Sequence, residues 1–387
     1  MYKLLHVHNL ITFVWDSDKF VNDEFENEVL FIGSSTEDNR KKLSVLSYPY
    51  KIIDSSKKDI DSIIAYVNTF DGVVFYSLNN SAVQILVNLR PKIKTFLRFF
   101  GFELYNLCMD NYLSEKTLNL LSQQPSETKS VNVIKIFYNF LKRKLKIFLD
   151  KEYVVKDDNQ ERVYRKLDAI FVINEYEYNE LRDLFYLPEL IELQFTNHEK
   201  ETHEFKTIKG KSNKIIVGNN GAEVNNHIDV LEIIWKFNCK VDVEFDLFFS
   251  YGNSKAYSYK IREMASEIKN VNLIEKFLSK EEFELMYESA AALVINSYRQ
   301  NALGNIFTAL KVGCKVYLNR RNSTYKWLIS KGFLISEVDD LESDIELGNI
   351  KLSVEEQQRN IDLFLLVMKE YSVRDFLSNV IDVLKDK

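Results

Sequence analysis

At 387 residues, 46% hydrophobic and 28% charged, the chain has the balance of a globular protein and enough length for two domains of roughly 150–200 residues each. A net charge of −6 excludes a general attraction to nucleic acid, and three scattered cysteines, Cys108, Cys239 and Cys314, exclude a disulfide frame or a CxxC zinc site. No run approaches the ~20 apolar residues of a membrane span, and the Met1–His8 start reads as a first strand rather than a signal peptide, so a cytoplasmic protein is expected.

In chain order, the first half alternates strands with helices. Strands are predicted at Leu4–Val7, Glu28–Gly33, Ser44–Tyr48, Gly72–Tyr76 and Lys94–Phe100, with helices at Ile60–Phe70 and Ser81–Leu89. After a long helical region, Ala169–Ile173 is a strand, followed by a helix to Phe185 and a strand near Leu190–Phe195. The polar, charge-mixed run 198–213 breaks the pattern and marks a domain boundary. The alternation then restarts with strands at Ile215–Val217, Val241–Ser250, Val271–Ile274, Ala292–Asn296 and Lys315–Leu318. Helices are predicted at His227–Trp235, Ala256–Ile268, Glu281–Ser289 and Asn305–Val312. Such spacing predicts two parallel, doubly wound α/β domains, 1–200 and 201–353, with an acidic helical tail, 354–387, long enough to pack back on the first. Ligands of such sheets bind beyond the strand C-termini, so a cleft between the two is expected.

Two stretches suit an anion. In Lys214–His227 a buried strand runs into Gly218-Asn219-Asn220-Gly221, and Asn225 suits an N-cap for the helix that follows; strand, Gly/Asn loop and helix aim N–H groups and a helix dipole at one point. The alternative is a tight turn with no ligand. In Asn296–Asn305, Gly304 and Asn305 open a helix, and Arg299 is placed to add a charge-assisted contact to a diphosphate, or to pair with a surface carboxylate. Metal chemistry has little support: the five histidines, His6, His8, His198, His203 and His227, lack ligand spacing, and Asp16, Asp18 and Asp61 read as solvated. Walker, Gly-x-Ser-x-Gly and Gly-x-Gly-x-x-Gly motifs are absent. Residues 133–149 place Ile134, Phe137, Tyr138, Leu141, Leu145, Phe148 and Leu149 on one helical face and Lys135, Lys142, Arg143 and Lys146 on the other. That pattern suits an anionic membrane surface or a helix packed on the sheet with a solvated basic face.

The second half resembles the GT-B glycosyltransferases, with Val271–Tyr287 matching their base-binding strand, loop and helix. More closely, the chain is similar to the TDP-4-acetamido-4,6-dideoxygalactose transferases of enterobacterial common antigen synthesis. The matching pieces are Val217–Gly221, Asn225–Ile228, Arg299-Gln300 with Gly304, Leu318–Asn322, His6-Val7 and Gly101–Tyr105. The chain departs from that pattern at Asn220 and Ala222, and at Arg98, Phe100 and Glu103, where the family has His, Trp and Asp. Asn301 and Thr308 stand near the places of the paired glutamates of many other GT-B enzymes.

The resemblance implies a GT-B fold of two Rossmann-like domains facing a central cleft. It implies a metal-independent transferase that moves a sugar from a TDP- or UDP-linked donor to a lipid-linked or surface-polysaccharide acceptor, with no cofactor. Gly218, Asn219, Asn220, Gly221, Arg299, Gln300, Asn301, Gly304 and Asn305 would hold the donor diphosphate, and Lys276 and Phe277 the base. Arg98 and Tyr105 would lie on the acceptor side, and Glu103 or His8 would be the general base of an inverting reaction. Cytoplasmic, or peripheral on the inner face of the plasma membrane, is the expected location. Two alternatives stay open: a non-catalytic nucleotide-sugar-binding partner in glycan assembly, and a UDP-sugar epimerase on the same fold, which would need no acceptor.

Overall fold

The structure, a computed structural model, describes residues 1–54, 59–122, 158–193, 210–252, 254–370 and 373–386. These fall into two compact units. One holds Met1–Leu107, 158–193 and the chain from Met368 onward; the other holds 108–122 and 210–367. The basic amphipathic stretch 133–149, and most of the 198–213 run, lie outside the described residues.

In the first unit, β1 (Tyr2–His8), β2 (Phe25–Ile32), β3 (Tyr50–Ile53), β4 (Gly72–Tyr76), β5 (Lys94–Arg98), β6 (Ala169–Val172) and β7 (Glu189–Glu192) form one sheet in the order β3-β2-β1-β4-β5-β6-β7. Every neighbouring pair is parallel. Covered on both faces, the central strands bury every residue of β4 and β6, hence their unbroken apolar runs. Gly72 is a glycine for lack of room: a β-carbon there would meet Leu4 Cδ2 at 2.8 Å and Leu384 Cδ2 at 2.9 Å. The C-terminal helix Val373–Lys385 supplies that leucine, and its Phe376, Leu377 and Val380 join Leu4, Phe20, Val74, Phe96 and Phe171 in one core.

The second unit repeats the plan with β8 (Lys214–Val217), β9 (Glu244–Phe248), β10 (Val271–Ile274), β11 (Ala292–Ile295), β12 (Lys315–Leu318) and β13 (Ser336–Glu337). Their order is β10-β9-β8-β11-β12-β13, again all parallel. The helix Glu115–Ser122, distant in sequence, belongs to this unit: Leu120 and Leu121 pack on its core, and the Ser114 N–H donates to Asn226 Oδ1 at 2.7 Å. Each sheet reverses its winding once, between β1 and β4 and between β8 and β11. A doubly wound sheet binds ligands beyond its strand C-termini at that reversal.

Some local expectations are corrected. The strand expected at Ser44–Tyr48 is a turn, and pairing begins one residue beyond Pro49, at Tyr50 opposite Val29. Proline has no N–H for the ladder, so the strand starts after it. The helix expected to open at Gly304 begins at Leu303, after Ala302 in the left-handed region (φ 60°). Asn225 is not an N-cap. It ends a 3-10 turn, Glu223–Asn225, and left-handed Asn226 (φ 48°) precedes the helix at His227.

Candidate functional site

The reversal in the second unit is built from asparagines. Gly218 leaves β8 with φ +68° and its N–H on the Val294 carbonyl (2.9 Å), tying the loop to β11. Asn225 Nδ2 donates to the Asn220 carbonyl (3.2 Å) and to Asn220 Oδ1 (3.0 Å), while Ala222 N–H donates to the same Oδ1 at 2.8 Å. Asn226 Nδ2 reaches the carbonyls of Tyr112 (3.2 Å) and Asn296 (3.1 Å), and Asn322 Nδ2 those of Ser297 (3.0 Å) and Arg299 (2.8 Å). Asn301 joins the two expected anion stretches, its Nδ2 lying 3.2 Å from Asn219 Oδ1 and 3.4 Å from Asn225 Oδ1. The loops after β8 and β11 are therefore fixed side by side by neutral amides.

What this scaffold presents is a set of donors. The helix Leu303–Lys311 has no side-chain cap, and its first N–H groups, from Leu303, Gly304 and Asn305, lie in the turn that makes no intrahelical bond. Open space surrounds the position a Gly304 side chain would take. Several other helices are capped, as by Asn79, Asn174 and Asn322, or by Ser279 with Glu282 in a capping box, while His227–Trp235 and Lys255–Ser266 are not. Arg299 sits partly buried beside this start, its Nη1 on the Gln300 carbonyl at 3.1 Å. An uncapped helix start next to a guanidinium favours a negative charge.

Not every expected residue offers a group. The Gly221 N–H is spent on the Tyr251 carbonyl (2.7 Å), and Asn305 Nδ2 on the Tyr287 hydroxyl (2.8 Å). The first of these bonds brings in a residue that was not expected. Tyr251 follows β9, is 48% exposed, and stacks on the 76% exposed Phe277 ring, centroids 5.4 Å apart and planes at 10°. Lys276 is exposed beside it. An exposed pair of parallel rings next to the loop offers a flat aromatic face.

In the first unit the reversal gathers buried polar groups. His8, at the end of β1, stacks on Tyr76, at the end of β4, with centroids 3.7 Å apart, and neither ring nitrogen of His8 has a hydrogen-bond partner. Burial, with His6 alongside, holds the His8 pKa well below its ordinary value, although Asp16 pulls the other way. Glu103 follows Gly101 (φ 95°), and both its carboxylate oxygens are buried with no hydrogen bond of normal geometry. Burial pushes its carboxyl up to about 7, opposed by its own backbone N–H, the Ser77 side chain and the Arg98 charge.

Asp16 is a correction. Expected to be solvated, it is 3% exposed, pairing with Lys19 Nζ (2.6 Å) and Arg98 Nε (2.9 Å). Burial raises its pKa, but the two cations outweigh that and hold it below the usual carboxylate value. Arg98 also donates to the Phe99 carbonyl (2.6 Å) and lies 4.7 Å over the Phe100 ring. Tyr105, expected on the acceptor side, is fully buried with its hydroxyl donating to Glu177 Oε1 at 2.8 Å, a bond that anchors the Gly101–Tyr105 segment.

Two Rossmann-ordered parallel sheets, each with polar groups collected at its reversal, define a two-domain, doubly wound α/β protein. Comparison with solved structures makes the fold specific: it is that of the GT-B glycosyltransferases. A glycosyltransferase from Rickettsia africae matches with a TM-score of 0.60 at 11% identity, covering 100% of this chain and 99% of the other. An alpha-glucosyltransferase in complex with UDP matches at 0.59 and 10% identity, and the HepE protein of Anabaena, in complex with UDP and glucose, at 0.60 and 9%; both matches cover 100% of each chain. No protein-family model matches the sequence, and no curated protein does. At such identities the likeness establishes the fold, and activity has to be argued from the residues.

Proposed function

We propose that the chain transfers a sugar from a nucleotide-diphosphate donor to a glycan acceptor. The observation that carries this reading is the pair of loops held together by Asn301. One is the Gly218–Gly221 turn, the other the uncapped start of Leu303–Lys311 beside Arg299, and both lie at the reversal of one sheet. Donors fixed in advance around one point stabilise the negative charge that a diphosphate gains as it leaves a sugar. The Tyr251–Phe277 face, next to the loop through the Gly221 bond, suits the nucleobase. UDP in two of the structural neighbours supports a uridine or thymidine diphosphate donor.

The first unit would take the acceptor. Glu103, its carboxyl near neutral pKa, and His8, a neutral imidazole with both nitrogens unbonded, are the groups there able to accept a hydroxyl proton. A 4-acetamido-4,6-dideoxyhexose as donor sugar, a lipid-linked or surface-polysaccharide acceptor, and a cytoplasmic place on the membrane's inner face through 133–149 complete the proposal. Charge on the leaving group is met here by Arg299 and helix N–H groups, so transfer is expected without a metal ion.

A screen of TDP-, UDP- and GDP-sugars for nucleotide release, with glycan acceptors and with EDTA present, tests the reading. Acceptor-dependent release of UDP or TDP that survives chelation is expected. Sugar interconversion without nucleotide release would replace this reading with an epimerase.

A further inference from the structure

His227 opens the helix behind the Gly218–Gly221 loop and is fully buried. Its backbone N–H donates to the Tyr257 hydroxyl oxygen at 2.9 Å, and its Nδ1 lies 3.1 Å from that same oxygen. The hydroxyl has one proton, and the backbone N–H already occupies one of its lone pairs. The Thr117 side chain also bonds that hydroxyl, and with Thr117 donating both lone pairs are filled and the Tyr257 proton goes to Nδ1. A neutral imidazole that accepts at Nδ1 carries its own proton on Nε2. Burial keeps the ring neutral, its pKa lowered to about 3.

That Nε2–H has no hydrogen-bond partner, although it is buried. It faces the loop: a β-carbon built on Gly218 would stand 2.7 Å from Nε2, and the three nearest heavy atoms to that point all belong to the His227 ring. In the same loop, the N–H groups of Asn219 and Asn220 donate to no acceptor among the described residues. Buried donors of a folded protein are nearly always paired, and an exception needs a reason.

We propose that His227 Nε2–H donates to a phosphate oxygen seated in the Gly218–Gly221 loop, making His227 a ligand-binding residue of the donor site. The inference rests on the nucleotide-diphosphate reading above and adds to it the acceptor that this N–H lacks. It also accounts for glycine at 218, because any side chain there would collide with the ring edge that has to meet the ligand.

The test is calorimetric titration of UDP and uridine into the wild type, His227→Phe and His227→Gln, with melting temperatures as the control for folding. Phenylalanine keeps the ring and loses the N–H, while glutamine returns an amide N–H. His227→Phe is expected to bind UDP about 10- to 100-fold more weakly, the range of one hydrogen bond to a charged group, with uridine affinity unchanged and His227→Gln recovering part of the loss. Nitrogen-15 spectra of the wild type should show the Nε2–H tautomer and a shift of that resonance on adding UDP. Unchanged UDP affinity in a folded His227→Phe, an equal loss for uridine, or an Nδ1–H tautomer would overturn the proposal. Should His227→Phe fail to fold, an Nε2 resonance unmoved by UDP does the same. Failure of the wild type to bind UDP at all would remove the donor reading as well, whereas UDP binding indifferent to His227 removes only this inference.

Discussion

Arg299 and Asp16 are both charged side chains near a sheet reversal, yet their surroundings assign them opposite work. Arg299 stands beside helix N–H groups that carry no side-chain cap, and the proposed function gives its charge to the donor diphosphate. Replacing it with alanine should lower turnover about 10- to 100-fold and weaken UDP binding by less, because the contact strengthens as the leaving group gains charge. Arg299→Lys should recover only part, an ammonium being unable to make a bidentate contact. Equal losses in turnover and affinity would make the residue a ground-state binder. Asp16 is the counter-charge of two buried cations, and its work is structural. Asp16→Ala should therefore cost about 3–5 kcal/mol in urea unfolding, the usual cost of removing one partner from a buried pair. A loss below about 1 kcal/mol, as for a surface pair, would contradict that role. Arg299 is a candidate that the sequence alone offers. The burial of Asp16 is not legible there, since its partner Arg98 is 82 residues away and the 3-10 segment Ile11–Phe20 that carries it has no regular periodicity.

At the scale of elements, buried parallel strands declare themselves as short apolar runs between polar loops, and Gly72–Tyr76 and Lys315–Leu318 stand where their sequences place them. Ser44–Tyr48 carries a similar run, with Val45, Leu46 and Tyr48, but pairs with nothing because Pro49 delays the ladder. The candidate site divides in the same way. Its glycines and Arg299 were visible as a motif, and the crowding of asparagines at 219–226, 296–301 and 319–322 was visible as composition. Which asparagine bonds which carbonyl depends on strands brought together by the fold, and so does the Tyr251–Phe277 stack. The C-terminal helix is a sharper case. Its membership of the first core follows from Phe376, which meets Phe20 edge-on at 5.3 Å and Phe171 at 5.1 Å. Phe376→Ala should destabilise the protein by about 3–5 kcal/mol, as other buried phenylalanines do. A change under 1 kcal/mol in urea would mean that the helix is only loosely applied.

Across the whole molecule, buried groups away from their ordinary pKa values set the response to acid. His6 is lowered to about 4 and His227 to about 3, with His8 also low; burial is the first cause of each. Between about pH 6.5 and those values the unfolded chain binds protons that the folded one refuses, so stability falls as pH falls. Glu103 opposes this: its raised pKa lets the folded state take a proton between about 7 and 4.5, which stabilises it on acidification. Three histidines outweigh one carboxyl, and the melting temperature should drop from pH 7 to pH 5; Glu103→Gln should steepen the drop. A flat profile would contradict the neutral burial of these rings. The central claim, a nucleotide-diphosphate donor held at the β8–β11 reversal, is tested most directly by titrating uridine, UMP and UDP into the wild-type protein. Affinity is expected to rise with each phosphate, by about 10-fold or more from UMP to UDP at low salt, because the second phosphate adds a charge-assisted contact. UDP binding no more tightly than uridine would contradict it.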